Sequence, residues 1–216
     1  MESTQPATVP LQYLVGVHMH KRALLLARAC AATFAFGASA PALASAINTY
    51  GSWDGSSSIV PFGCPNTTTY GQVITIPNGK THLGKFHFSW INLNTGSMVV
   101  RGEVYAWDGS KATGSALYES KKKTLSFSDG LFHKVGFKAT LVPVTPGAKY
   151  VIFASIDKDF EQCTNNYEFG WGFISSDVYS GGDFVYQNNG GDENQWTLTP
   201  WNVIGGDAAF KAVVSP

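Results

Sequence analysis

Cysteine is scarce in this chain of 216 residues: there are three, and only Cys64 and Cys163 lie beyond residue 44. Neither has a His or a second Cys beside it in sequence, so a zinc-type ligand set is not indicated. Histidine is nearly as sparse. His82, His87 and His133 are the ones after residue 44, and none stands in an HExxH spacing. No Gly-x-Ser-x-Gly elbow is present. After Ala44 no apolar run approaches the ~20 residues of a membrane-spanning helix. Basic tracts are limited to Lys121-Lys122-Lys123, which reads as a solvated strand start and is too little for a phosphate backbone. Helical periodicity is also missing from this part of the chain, which argues against a bundle or an α/β fold.

What is present begins with an export signal. Met19-His20-Lys21-Arg22 opens a short basic stretch, Ala23–Ala29 and Ala31–Phe36 are mostly apolar, and Ala42-Leu43-Ala44 is a small-x-small cleavage pattern. Cleavage is expected between Ala44 and Ser45, with Met1–His18 an extension and Met19 a candidate start. Residues 1–44 are thus set apart from a single domain over 45–216, a length ordinary for one domain. That domain carries 12 Lys/Arg against 14 Asp/Glu, a net charge of −2. The expectation is a secreted chain, extracellular or periplasmic, with no nucleic-acid partner and no transmembrane segment. In an oxidising compartment Cys64 and Cys163 most simply form one disulfide.

The mature chain alternates with a period of two. In Lys85-Phe86-His87-Phe88-Ser89-Trp90 the aromatics occupy every second position. Met98, Val100, Gly102, Val104 and Ala106 alternate with Val99, Arg101, Glu103, Tyr105 and Trp107. Leu131, Val135, Phe137, Ala139 and Leu141 share a face opposite Lys134 and Lys138. Tyr150–Ile156 is apolar on both faces, as befits a central strand. Tyr70–Ile76, Lys123–Phe127 and the run through Ala208, Phe210, Ala212 and Val214 complete the strands. Pro77-Asn78-Gly79, Asn94-Thr95-Gly96, Asp129-Gly130, Thr145-Pro146-Gly147 and Ser180-Gly181-Gly182 punctuate them. Many short strands between turns predict an all-β, antiparallel, jelly-roll-like sandwich, in which first and last strands could pair. The tetrapeptide Trp-Asp-Gly-Ser occurs at 53–56 and at 107–110, with different flanks. It reads as one piece of turn chemistry used twice, not as a structural repeat.

The longer stretch around the second copy, Val104–Gly114 followed by Ala116-Leu117-Tyr118-Glu119-Ser120, resembles the extracellular domain of PEP-CTERM-type bacterial secreted proteins. Pro61-Phe62-Gly63, Thr69-Tyr70-Gly71-Gln72 and Asp207–Ala212 fit the same pattern. The resemblance covers most of Ser45–Val214 and implies an extracellular β-sandwich while saying almost nothing of activity. Chains of that group commonly continue into a Pro-Glu-Pro segment, a hydrophobic helix and a basic tail. This sequence stops at Pro216, so the resemblance does not extend to a sorting or anchoring role.

Three groups of residues could carry function. Arg101, Glu103, Tyr105 and Trp107 lie on the non-core face of one strand and combine aromatic planes with polar groups, the mixture that stacks on sugars and orients their hydroxyls. The plainer reading is the partly solvated side of a sandwich strand. Asp157, Asp159 and Glu161 follow the central strand, and Asp183 and Asn188–Asn194 form a second polar loop. Such oxygens could hold calcium, though no EF-hand register appears and solubilising loops would look the same. Of the tryptophans, Trp90 shares the face of Phe86 and Phe88 and is assigned to the core, while Trp107 is a surface candidate and Trp196 and Trp201 flank a Thr/Pro loop. His87 falls on the polar side of its strand and His133 on an apolar face. Paired carboxylates alone could serve a glycosidase, but they are too common to indicate one, and no nucleophile–base set is found. The sequence therefore points to a non-catalytic secreted module with no obligatory cofactor. Its expected ligand is a glycan or extracellular polysaccharide, and the alternative is a structural or adhesive protein-interaction domain.

Overall fold

The structure, a computed structural model, describes residues 43–162 and 168–216, and only the backbone of residues 161 and 162. Its strands are, in order, β1 (Ser45–Asn48), β2 (Ser58–Phe62), β3 (Thr69–Thr75), β4 (His82–Asn92) and β5 (Met98–Trp107). They continue with β6 (Ala112–Glu119), β7 (Lys123–Leu125), β8 (His133–Phe137), β9 (Val142–Pro143) and β10 (Lys149–Ser155). A 3-10 segment, Asp157–Gln162, precedes β11 (Phe169–Ile174) and β12 (Phe184–Gln187). One helical turn, α1 (Gln195–Leu198), then leads to β13 (Asn202–Ile204), β14 (Asp207–Ala208) and β15 (Phe210–Ser215).

Two antiparallel sheets pack as a sandwich. The first is organised around β4, which pairs with β15 and β11 and also with β8 and β9. The second runs β13-β12-β3-β10-β5-β6, with β7 added to β5. First and last strands do pair: Ser45 lies opposite Val214 and Asn48 opposite Lys211. β10 is central, between β3 and β5, which is why Tyr150–Ile156 needs apolar side chains on both faces.

The period-two alternation has a direct physical outcome. Phe86, Phe88 and Trp90 point inward and are fully buried, and from the opposite strand face Val100 and Val104 are as well. Trp171 joins them, its ring 4.9 Å from Trp90 and 4.4 Å from Phe88. Trp171 also meets Tyr70 and Phe184 of the second sheet edge-on at 5.5 and 5.9 Å, so the cluster bridges the sheets, each ring contributing roughly 1.5–3 kcal/mol by leaving water. Gly102 is required where the sheets approach: a Cβ there would lie 2.3 Å from the Phe137 ring.

Some expectations need correction. The run Leu131–Leu141 is strand only over β8; Leu131 and Leu141 are 63% and 61% exposed, and Leu141 has φ +54. The chain turns out of the sheet at both ends, so alternation there does not imply burial. His133 is half-exposed, stacks on Phe127 and bonds Asp129, instead of entering the core.

The repeated tetrapeptide is one turn used twice. Asp108 Oδ1 accepts from the backbone N–H groups of Ser110 and Lys111 at 2.8 and 2.9 Å. Asp54 Oδ1 accepts from those of Ser56 and Ser57, both at 2.7 Å. Gly109 and Gly55 both sit at positive φ, which an L side chain would resist. The second copy closes the β5–β6 hairpin, whereas the first joins β1 to β2, which do not pair with each other.

Candidate functional site

The outer face of the second sheet is not open. Residues 188–201 fold across it, and Trp196 and Trp201 pack with Val73, Tyr105, Val151, Phe153 and Val185 into a smaller second core. Trp196 meets Phe153 edge-on at 4.9 Å and Tyr105 at 6.0 Å, and Trp201 meets Phe153 at 5.2 Å. The cover is pinned by hydrogen bonds from the Trp201 backbone N–H to Ser110 O and from Trp201 Nε1 to Trp196 O, both 2.9 Å.

This arrangement sets the surroundings of the sequence-based ligand face. Arg101, Glu103, Tyr105 and Trp107 do share one side of β5, but Glu103 is 0% and Tyr105 8% exposed. Trp107 is half-buried, edge-on to Trp201 at 5.7 Å. Tyr105 is therefore covered, and Trp107 covered in part, by a segment some ninety residues downstream.

Arg101 and Glu103 belong to a charged cluster. Arg101 bonds Glu119 at 2.6 Å and Asp159 at 3.1 Å, and Lys122 also contacts Asp159. Lys158 lies 2.7 Å from Glu119 and 3.5 Å from Glu103. Burial pushes the Glu103 carboxyl up to about 8, against the partly opposing charge of Lys158. Burial would also raise Glu119, but the hydrogen bond and charge of Lys158, with Arg101, hold it below its ordinary value. Two neighbouring carboxyls are thus driven in opposite directions.

Asp159, proposed from sequence as a calcium ligand, has its two oxygens facing Arg101 and Lys122. Glu161 falls where side chains lie outside the described residues. Among the described residues no three His, Cys, Asp or Glu side chains come together as a metal-holding group. Cys64 is buried; its expected partner Cys163 lies outside the described residues.

Asp157 stands apart. It is 4% exposed, and its Oδ2 accepts from Trp196 Nε1 at 2.8 Å, Thr69 Oγ1 at 3.1 Å and Asn189 Nδ2 at 2.5 Å. Its Oδ1 has no hydrogen-bond partner among the described residues. Asp157 lines a depression of about 530 Å³ shared with Lys122, Lys158, Asp159, Phe160 and the Gly190-Gly191 backbone. A Cβ on Gly191 would lie 2.7 Å from Phe160, so the glycine lets the loop close against that ring. A neighbouring depression of about 360 Å³ is lined by Gln187, Asn188, Asn189, Asp192, Gln195 and Asn202, among others. Asn189 serves both, since it bonds Asp157 and lines the amide-rich hollow. The sequence flagged Asp157 and the Asn188–Asn194 loop separately; nothing in it indicated that they meet.

No family model and no curated protein matches the chain. Among solved structures it is similar to the cysteine protease and lectin-like domains of Cwp84, a surface layer associated protein of Clostridium difficile. The TM-score is 0.45 with 9% identity, over 69% of this chain and 32% of that one. The chain thus spans about a third of that structure's length, and a likeness this low carries no argument about function.

Proposed function

We propose that this is an exported, non-catalytic binding module of the cell exterior whose ligand is a glycan or extracellular polysaccharide, held in the Asp157 depression and the adjoining amide-lined hollow. The carrying observation is the pair of adjoining hollows, one walled by Phe160 and the Gly190-Gly191 backbone and the other lined by side-chain amides, joined through Asn189. Asp157, buried beneath the first hollow, accepts from Asn189 Nδ2 through Oδ2 and so fixes the amide that borders the second. Phe160 offers an apolar wall for a ring face, and the amides of Gln187, Asn189, Gln195 and Asn202 can both donate and accept, as a polyol requires. The extracellular-domain resemblance of the sequence agrees with this setting.

The test is a glycan array on the mature chain, with calcium and with a chelator. Binding should persist in chelator, because Arg101 and Lys122 already neutralise Asp159. Phe160→Ala and Asp157→Asn should each weaken the best hit at least tenfold while the circular dichroism spectrum is retained. An array without hits in either buffer, or hits indifferent to both substitutions, overturns the reading and turns attention to a protein partner.

A further inference from the structure

The opposite side of the molecule has a different character. Strands β1, β15, β4 and β8 lie side by side in the first sheet, and none of the four contains an Asp or Glu. Their outward positions carry Lys85, His87, Lys134 and Lys211, and Lys138 follows β8 directly. The register gathers them: Lys211 lies opposite His87, His87 opposite Gly136, Ser89 opposite Lys134, and Val213 opposite Lys85. Lys85, Lys134 and Lys138 are exposed and Lys211 half-exposed. Among the described residues none of these four ammonium groups pairs with a carboxylate. By contrast, Arg101 of β5 and the nearby Lys122 and Lys158, which lie outside the strands, are all paired. A cluster of unneutralised lysines on one face creates a positive potential, and His87 registers it: burial, then Lys134, Lys211 and Lys85, hold its pKa below the usual value.

We infer that this face is a second binding surface, for an acidic polysaccharide bearing carboxylate or sulfate groups. The inference rests on the polysaccharide reading above for the ligand class and adds its charge and its place. Gly136 leaves a slot of about 320 Å³ bordered by Lys85, His87, Lys134 and Lys138. The lysines stand on three consecutive strands, spaced about 4.8 Å apart, so the charges spread over ~10 Å and match successive groups on a polymer better than one small anion. Nucleic acid fits less well, because stacking of bases needs an open ring. Tyr50, the aromatic beside the slot, is occupied: it stacks on His87 at 5.4 Å, its hydroxyl is 3.1 Å from His87 Nδ1, and Lys134 Nζ lies 4.4 Å from its centroid. A bilayer fits less well too, since none of the large exposed apolar side chains lies on these four strands.

The experiment is retention of the mature chain on immobilised heparin and polygalacturonate, with dextran as the neutral polymer, over a salt gradient. Retention on at least one acidic polymer, lost by moderate salt and absent on dextran, is expected. Lys85→Gln/Lys134→Gln/Lys211→Gln should weaken affinity at least tenfold, and Lys149→Gln, a lysine on the other sheet, should not. Gly136→Glu places a carboxylate in the slot and should abolish retention. Gly136→Ala should keep it, because the added Cβ meets His87 Cβ at an ordinary 3.4 Å. The inference is overturned if neither acidic polymer retains the protein, or if the triple variant is retained like the wild type. Stronger binding to phosphatidylglycerol vesicles or single-stranded DNA than to both polymers overturns it as well. Hits among neutral glycans on the array report on the Asp157 depression alone, so the two readings fail separately.

Discussion

Glu103 and Glu119 face each other directly across β5 and β6, and Lys158 reaches both, at 3.5 and 2.7 Å. Glu119 takes the close hydrogen bond, while Glu103, fully buried, has no hydrogen-bond partner for either oxygen among the described residues. The first carboxyl is held ionised, and burial holds the second protonated up to about pH 8.

This has a pH signature. The unfolded chain releases the Glu103 proton near 4.5, whereas the folded protein keeps it up to about 8. Between those values the folded state binds more protons, so the stability contributed by Glu103 is complete below pH 4.5 and declines as pH rises towards 8. Glu103→Gln keeps the neutral shape and removes the decline. Urea unfolding free energies at pH 5, 7 and 9 should show the variant gaining on the wild type with each step, by about 4 kcal/mol in total. A difference independent of pH would mean that Glu103 is ionised throughout.

Trp196 and Trp107 should behave differently from each other. Trp196 is 2% exposed and donates Nε1 to Asp157, so Trp196→Ala should cost ~3–5 kcal/mol in urea unfolding. Trp107 is half-buried at the edge of the same cluster, and its replacement by Ala should cost ~1–2 kcal/mol, with ligand affinity unchanged. A Trp107→Ala protein of full stability and lost glycan binding would restore the open face of β5 as the site.

Legibility from sequence followed the reach of the physical signal. The alternation from Met98 to Trp107 marks β5 to the residue, because one face of it must be apolar. β6 shows no such pattern in Ala112–Glu119, since it is an edge strand and much of it is exposed. In β11 two glycines interrupt the run Phe169-Gly170-Trp171-Gly172, and tight packing against Ile91 and Ala209 is the reason. Alternation puts Tyr105 on the second face of its strand but cannot reveal that Trp196 covers that face. Nor can a linear reading find the basic surface, since Lys85, Lys134 and Lys211 become neighbours only through strand register.

Close approach makes Gly102 irreplaceable. Its Cα faces the Phe137 ring, and any Cβ would overlap three ring carbons at 2.3–2.6 Å. Phe137 is 2% exposed and packs on Phe86 at 5.2 Å, so it has little room to retreat. Gly102→Ala should lower stability by ~1–3 kcal/mol through overpacking. Gly102→Ala/Phe137→Leu should recover part of that loss, and thermal melts of both would show whether the ring is the obstacle.

Processing is checked by intact mass. β1 begins at Ser45 and pairs with the last strand from that residue onward, so cleavage after Ala44 would leave the sandwich its first strand. Protein recovered outside the cytoplasm should begin at or near Ser45. Retention of Met19–Ala44 would reopen a membrane-anchored alternative.

A Cys64–Cys163 bridge, as expected from the sequence, would connect to the proposed site. Cys64 is 3% exposed, and four residues on, Thr68 O accepts from the Ile156 backbone N–H at 3.0 Å. That hydrogen bond joins the segment after Cys64 to the one that starts at Asp157 and runs towards Cys163. A link here closes a loop of ~100 residues, which would stabilise the fold by ~4–5 kcal/mol in the chain-entropy view. Non-reducing peptide mapping should give one linked pair and no free thiol on either residue. Reduction should then lower the urea midpoint and weaken glycan binding at the Asp157 depression more than acidic-polymer binding on the far sheet, because only the former borders the bridged segment. If both cysteines alkylate without a reductant, the bridge is wrong, and the rigidity of the Asp157 segment must come from its hydrogen bonds alone.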